Sequence, residues 1–392
     1  MMMKVRKMKN KVLVSVALLV VLLYMFNVYY SVRIYSTEQV NASFVSARSM
    51  VVMEVNSGRV LLEKNKDKEL AMASTTKIMT AILAIEESEN LDEMVNIDPK
   101  AVGIEGTSIY LRDGERMPLR ELLYGLMLAS GNDASVAIAS HIGKGDIEAF
   151  VDKMNKKALK IGAKHTKFAN PHGLDAKQHF TTAYDLALIT AHAHKNKDYR
   201  EIAGTRKMQI TSTPDGHNRF LVNKQRLLRT YDYTVSGKTG FTDNAGRCSV
   251  SVAKKDGLEL VCVVLNAPNM FADSKVTFNK AYDMYDYVEL LKPYNYVDSL
   301  PVDDGREGKV KLYSEKGFSY PLKMNEKIDV RIEKELPAVL SPPLKKQASV
   351  GEIKIYLGKD LIFSENIYTI ESVESIELSN KVKDLIKKWF YD

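Results

Sequence analysis

Three short stretches of this chain carry residue types able to do chemistry together. In MASTTKIMTA, Met72 to Ala81, Lys77 follows Ser74 by three residues inside a run of small and apolar side chains. A serine hydroxyl is a weak nucleophile until an adjacent group takes its proton. An amine can take it only when deprotonated, and burial among apolar neighbours lowers a lysine's pKa. With a helix running from Thr75, Ser74 occupies the N-terminus, where unpaired N–H groups favour developing negative charge. Lys77 lies one turn further along the same face. Taken alone, Ser-x-x-Lys equally describes a capped helix with an outward-facing lysine.

The second stretch, LMLASGNDAS, places Ser130-Gly131-Asn132 just after an apolar helix, which predicts a short exposed loop. Ser130 offers a hydroxyl that can relay a proton, and Asn132 an amide that can hold a substrate carbonyl or amide. A polar helix-ending turn has the same composition. The third, VSGKTGFTD, sets Lys238-Thr239-Gly240 at the end of a β-branched run. Lys238 and Thr239 there can bind a carboxylate, and Gly240 lets a ligand approach the strand's backbone. A hairpin turn with a surface lysine is the plainer reading. The three stretches occur in order, each in the local structure its role requires.

Periodicity shows which helices and strands surround these stretches. MVVMEVNSGRVLLEK reads as a hairpin turning at Asn56-Ser57-Gly58. A helical middle follows, over about 70–230. Thr75–Glu87 puts Ile78, Ile82 and Ile85 on one face, Leu119–Leu128 forms a second apolar helix, and further helices begin near Ile147 and Thr182. Strands return from Thr234, with a hairpin turning at Lys254–Gly257, and a helix over Ser274–Leu291 closes the unit. Strands at both ends with helices between predict one sheet assembled from distant segments, carrying a helical insertion. Pro293–Asp304 reads as a linker. KVKLYS, KIDVRIE, VGEIKIYLG and LIFSENIYTI then alternate as the strands of a small all-β domain. In SNKVKDLIKKWFYD, Val382, Leu385, Ile386 and Trp389 share one helical face among four lysines. Such a helix either lies in a membrane interface or docks on its own β-domain. The expected organisation is residues 1–40 as signal or anchor, 41–292 as the chemical domain, 293–370 as the β-rich domain and 371–392 as the amphipathic helix.

Bulk properties narrow the function classes. The chain has 392 residues, 45% apolar and 27% charged, and a net charge of +7. Lys4, Arg6, Lys7, Lys9 and Lys11 supply five of those positives, so the body is nearly balanced and no nucleic-acid footprint is expected. The uncharged run Val12–Val32 follows them. It is longer than the roughly 7–15 residues of a signal's apolar core. The nearest small-x-small site, Val45-Ser46-Ala47, lies well downstream. These features favour a retained signal-anchor over a cleaved signal, with the remainder exported to the outer face of the cytoplasmic membrane. Cys248 and Cys262 are the only cysteines, too few for a disulfide framework or a structural zinc site, and read as buried thiols.

STTK, SGN and KTG resemble the three signatures of the penicillin-recognising serine acyl-transferases. Within that group the chain is most similar to the low-molecular-mass D-alanyl-D-alanine carboxypeptidases. Supporting stretches are GTSIYLRDGERMPLRELLYGLMLASGNDA, FANPHGLD, HFTTAYDLALI and SGKTGFTDNAGRC. The resemblance implies an α/β fold: an antiparallel sheet with flanking helices and a helical subdomain, of the penicillin-binding transpeptidase and β-lactamase kind, followed by a small all-β domain. It implies an acyl-enzyme on Ser74, with Lys77 as base and Ser130 as proton relay. Asn132, Lys238, Thr239 and Gly240 would bind a peptidoglycan stem peptide, and backbone N–H groups of Ser74 and Phe241 would hold the oxyanion. β-Lactams would be inhibitors, and neither metal nor organic cofactor would be needed. Phe241 stands where some relatives have a polar side chain, which leaves only its backbone role. His172 and His179 read as loop-ordering groups. A β-lactamase would share the triplet, but the extra glutamate described for class A enzymes has no evident counterpart; a non-catalytic wall-binding protein is the alternative outside the enzymes.

Overall fold

The computed structural model describes residues 44–210 and 218–376, together with Val382 and Trp389. It divides into two compact units, Met1–Ala253 with Leu260–Phe278, and Lys254–Glu259 with Asn279–Asp392. The first contains a five-stranded sheet of β1 (Ser49–Glu54), β2 (Val60–Lys64), β3 (Thr234–Thr242), β4 (Gly246–Lys255) and β5 (Leu258–Leu265), in the order β2-β1-β5-β4-β3. The first strand pairs antiparallel with the last, Val52 opposite Cys262. The sheet is thus assembled from segments some two hundred residues apart, as the order of elements predicts. Every residue of β1 is buried, and so is nearly all of β5. That explains their continuous apolar runs, since a strand covered on both faces has no polar side to show. Cys248 and Cys262 are free, buried thiols, pushed by burial up to about 11 and about 12.

Between β2 and β3 lie α1 (Lys77–Glu87), α2 (Leu119–Tyr124), α3 (Asn132–Ile142), α4 (Ile147–Ile161), α5 (Ala183–His194) and α6 (Lys197–Gly204). The starts of α4, α5 and α6 follow side-chain caps. Asp146, Thr182 and Asn196 accept from the N–H groups of Ala149, Asp185 and Tyr199. Residues 77 to 85 of α1 are all buried, so this helix runs through the core and not along its surface. One expected helix is different. Leu119–Leu128 is not a single α-helix: α2 stops at Tyr124, and Gly125–Ala129 forms a wide π turn that delivers Ser130 in the left-handed region, φ 68°. A one-residue expansion of this kind re-aims the chain that follows.

α7 (Met270–Met284) ends earlier than its sequence predicts. Asp286–Leu291 is a strand, β6, paired with Phe318–Leu322. The supposed linker also holds a strand, β7 (Asn295–Pro301), which pairs with β8 (Lys309–Ser314). In both cases a partner outside the local window decided the conformation, which propensity cannot anticipate. β9 (Phe318–Leu322), β10 (Val330–Glu335), β11 (Ser349–Leu357) and β12 (Asp360–Thr369) complete the second unit, whose five-stranded sheet runs β7-β8-β12-β11-β10. Val310, Leu312, Ile353, Ile355, Ile367 and Val373 form its core. Among the described residues no helix is long and apolar enough to cross a membrane. The apolar run Val12–Val32 lies outside them, as does most of the terminal amphipathic segment, of which Val382 and Trp389 are helical and exposed.

Candidate active site

Ser74 sits in a 3-10 turn, Ala73–Thr76, that leads directly into α1. The turn is held tightly. Ala73 is left-handed, φ 48°, and the hydroxyls of Thr75 and Thr76 donate to the carbonyls of Met72 and Ala73 at 2.6 and 2.8 Å. Two glycines close on it from elsewhere in the chain. A Cβ on Gly173 would fall 2.0 Å from the Ala73 oxygen, and one on Gly240 would fall 2.9 Å from the Ser74 nitrogen. No other residue type fits either approach without displacing the turn.

Lys77, first residue of α1, is fully buried. Its Nζ lies 3.0 Å from Ser74 Oγ, 2.7 Å from Asn132 Oδ1 and 2.6 Å from the His172 carbonyl oxygen. The amide orientation of Asn132 is fixed independently, because its Nδ2 donates to the Glu105 carbonyl at 2.6 Å. Burial holds the Lys77 amine well below the ordinary lysine range, the charges of Lys238 and Lys224 push it further, and Asp133 opposes them. A neutral amine has two N–H bonds and one lone pair. Asn132 Oδ1 and the His172 carbonyl can only accept, and they take both N–H bonds. The lone pair is left for the hydroxyl of Ser74, the arrangement a general base requires.

A second serine–lysine pair lies beside the first. Lys238 projects from edge strand β3 and is buried; its Nζ donates to Ser130 Oγ at 2.9 Å and to the Thr239 carbonyl at 2.8 Å. Burial, with the nearby charge of Lys224, lowers it to about 7. Ser130 and Asn132 belong to one turn, so that turn reaches both lysines. Contrary to its expected exposure, it is buried, with Ser130 and Asn132 each 4% exposed. The reason is Asp133, whose carboxylate accepts from the Ser108 hydroxyl and from the backbone N–H groups of Ile109 and Leu111, pinning the 107–111 segment over the turn. Thr239 is half-buried, Gly240 is buried against Ser74, and Phe241 turns its ring outward, 62% exposed.

The structure therefore brings Ser74, Lys77, Ser130, Asn132, Lys238 and Gly240 together, with Thr239 and Phe241 on the adjoining strand. Sequence reasoning missed Lys224, an exposed lysine whose Nζ donates to Thr107 Oγ1 at 3.2 Å and whose charge depresses both other lysines. It also missed the carbonyl of His172. FANPHGLD stood out as a stretch, but nothing in a side-chain pattern identifies a working backbone oxygen. His172 and His179 do order their loop: Nδ1 of each accepts a backbone N–H, from Leu174 and Ala169. Both are lowered to about 4, by burial first. A cleft of about 520 Å³ opens beside the same loop, lined by Asn155, Phe168 and Pro171 among others, but Ser74, Lys77 and Lys238 do not line it.

Comparison with known proteins places the chain in a family. Residues 36–269 match the family described as D-alanyl-D-alanine carboxypeptidase, and residues 285–375 match the C-terminal domain of penicillin-binding protein 5. The chain is 31% identical to the D-alanyl-D-alanine carboxypeptidase DacF of Bacillus subtilis over 351 residues, 88% of this chain and 90% of that one. It is 30% identical to DacC of Escherichia coli, over 91% of this chain and 92% of the relative. Among solved structures, penicillin binding protein 5 from Haemophilus influenzae superimposes with a TM-score of 0.70 at 26% identity, covering 86% of this chain and all of that one.

Proposed function

This chain belongs to the D-alanyl-D-alanine carboxypeptidase family of low-molecular-mass penicillin-binding serine enzymes, and from that premise we propose that Ser74 is its acylated nucleophile. Ser74 Oγ attacks the carbonyl between the two terminal D-alanines of a peptidoglycan stem pentapeptide as Lys77 takes its proton. The carbonyl oxygen becomes an oxyanion between the N–H groups of Ser74 and Phe241, a preorganised site worth on the order of 3 kcal/mol per donor in the transition state. Ser130, next to Lys238, passes a proton to the leaving D-alanine nitrogen. Asn132 orients the peptide, Lys238 and Thr239 grip its terminal carboxylate, and the charge of Lys224 reinforces that grip. Gly240 leaves room for the substrate backbone along β3. Water then attacks the acyl-enzyme, releasing the trimmed peptide and restoring Ser74. A β-lactam, which presents a strained amide and a carboxylate in the same relation, enters the same path and acylates Ser74.

The observation that carries this reading is the fully buried Lys77 Nζ, 3.0 Å from Ser74 Oγ and within 2.7 Å of two oxygens that can only accept, Asn132 Oδ1 and the His172 carbonyl. The site works outside the cytoplasm in this reading. Val12–Val32 acts as signal-anchor, the terminal basic helix lies on the membrane surface, and residues 41–292 and 293–370 form the catalytic and β-rich domains. Intact mass spectrometry after incubation with a penicillin tests the nucleophile. Wild-type protein gains one acyl group on the peptide containing Ser74 and releases D-alanine from a pentapeptide, whereas Ser74→Ala does neither. Acylation of the variant at another residue would refute the assignment.

A further inference from the structure

We propose that His179 is a positioning residue for the reaction, acting through Thr76 to hold the Ala73–Ser74 peptide so that the Ser74 N–H faces the reacting carbonyl oxygen. This rests on the reading of Ser74 as nucleophile. The argument starts from the far end of a hydrogen-bonded chain. The backbone N–H of Ala169 can only donate, and its acceptor is His179 Nδ1 at 3.0 Å. Nδ1 is therefore unprotonated, and the neutral ring carries its proton on Nε2. Nε2 lies 2.8 Å from Thr76 Oγ1 and donates to it. The Thr76 hydroxyl is then free to give its own proton to the Ala73 carbonyl, 2.8 Å away. His179 and Thr76 are buried, so water does not compete for the links made by the Thr76 hydroxyl.

The last link matters because Ala73 C=O and Ser74 N–H belong to one planar trans peptide and point in opposite directions. Whatever fixes the carbonyl fixes the N–H, and donation to the carbonyl polarises the N–H as well. The peptide needs fixing, since Ala73 is held left-handed, a conformation that L residues other than asparagine and aspartate seldom keep unaided. Gly173 and Gly240 shape the space around this peptide, but neither glycine offers its carbonyl a side-chain donor. That donor is the Thr76 hydroxyl, and His179, 103 residues further along the chain, sets the direction of its proton.

Kinetics of His179→Leu, His179→Gln, Thr76→Val and the Leu/Val double variant test the idea. Each is assayed for D-alanine release and for affinity towards a peptidyl boronic acid, whose tetrahedral serine adduct places an oxygen in the oxyanion position. His179→Leu should lower kcat on the order of 10- to 100-fold, with KM within about twofold and boronate affinity falling in step with kcat. His179→Gln, which can still offer Thr76 an N–H, should recover most of the loss. Thr76→Val should match His179→Leu, and the double variant should be no worse than either. Unchanged kcat in Thr76→Val, additive losses in the double variant, or boronate affinity that stays constant while kcat falls would each overturn the proposal, and the first holds even if His179→Leu does not fold. A wild-type protein that never acquires an acyl group on Ser74 would instead bring down the nucleophile assignment, and this inference with it.

Discussion

Lys77 and Lys238 are chemically the same side chain, buried a few ångströms from a serine each, and the proposed mechanism needs them in opposite protonation states. Lys77 works deprotonated, so kcat/KM rises as pH climbs through its pKa, which burial has placed well below 10.5. Lys238 grips a carboxylate only when protonated. Its pKa in the free protein is about 7, so kcat/KM should fall again as pH rises past that value. Because the charge of Lys238 lowers Lys77, and that of Lys224 lowers both, the two limbs belong to a coupled set. Lys238→Arg keeps its charge at every accessible pH. It should lose the alkaline limb near neutrality while reaching a lower maximum, because a guanidinium does not reproduce the ammonium contact to Ser130. A pH–rate profile in which the variant keeps that limb would assign it to another group.

Several of the elements that hold these residues are irregular. A 3-10 turn presents Ser74, a π turn delivers Ser130 left-handed, and the Asn170–Leu174 loop supplies the carbonyl that orients Lys77. That loop is braced at several points. Thr80 donates to the Pro171 carbonyl at 2.6 Å, and Asn170 caps Gly173 N–H at 2.7 Å. Gly173 is the tightest point, with φ 95° and the Ala73 oxygen where a Cβ would be. Gly173→Ala combines a left-handed penalty with overpacking, together about 2–4 kcal/mol of stability. Its acylation by penicillin should also slow on the order of 100-fold, because the loop and the nucleophile turn must separate. Unfolding in urea beside an acylation time course checks both, and wild-type values in either would mean the loop yields more easily than its packing implies.

At the scale of the whole molecule, charge concentrates in the terminal segments. The first eleven residues hold five basic side chains, and Lys381, Lys383, Lys387 and Lys388 crowd the last fourteen. Protein truncated ahead of residue 41 should still sediment with vesicles containing anionic lipid. It should be released by salt, since exposed charges are screened within about 10 Å at 0.1 M. Replacing those four lysines by glutamine should abolish sedimentation. Persistent binding would mean that another surface, and not the terminal helix, meets the lipid.

Most of the elements, and the residue types that meet in the candidate site, are readable from linear order. A serine and a lysine one helical turn apart, a Ser-Gly-Asn turn and a Lys-Thr-Gly strand are short-range patterns. The alternation in Lys309–Ser314 and Asp360–Thr369 is likewise local, reflecting one buried face. Tertiary structure alone decided what depends on partners far along the chain. Asp286–Leu291 is a strand because Phe318–Leu322 pairs with it. Ser130-Gly131-Asn132 is buried because Asp133 draws the 107–111 backbone over it. Lys224 joins the site through the fold and not through any spacing, and a backbone oxygen from His172 comes within 2.6 Å of the Lys77 amine. Burial and hydrogen bonding set protonation states, and both are sums over neighbours that one-dimensional order does not specify.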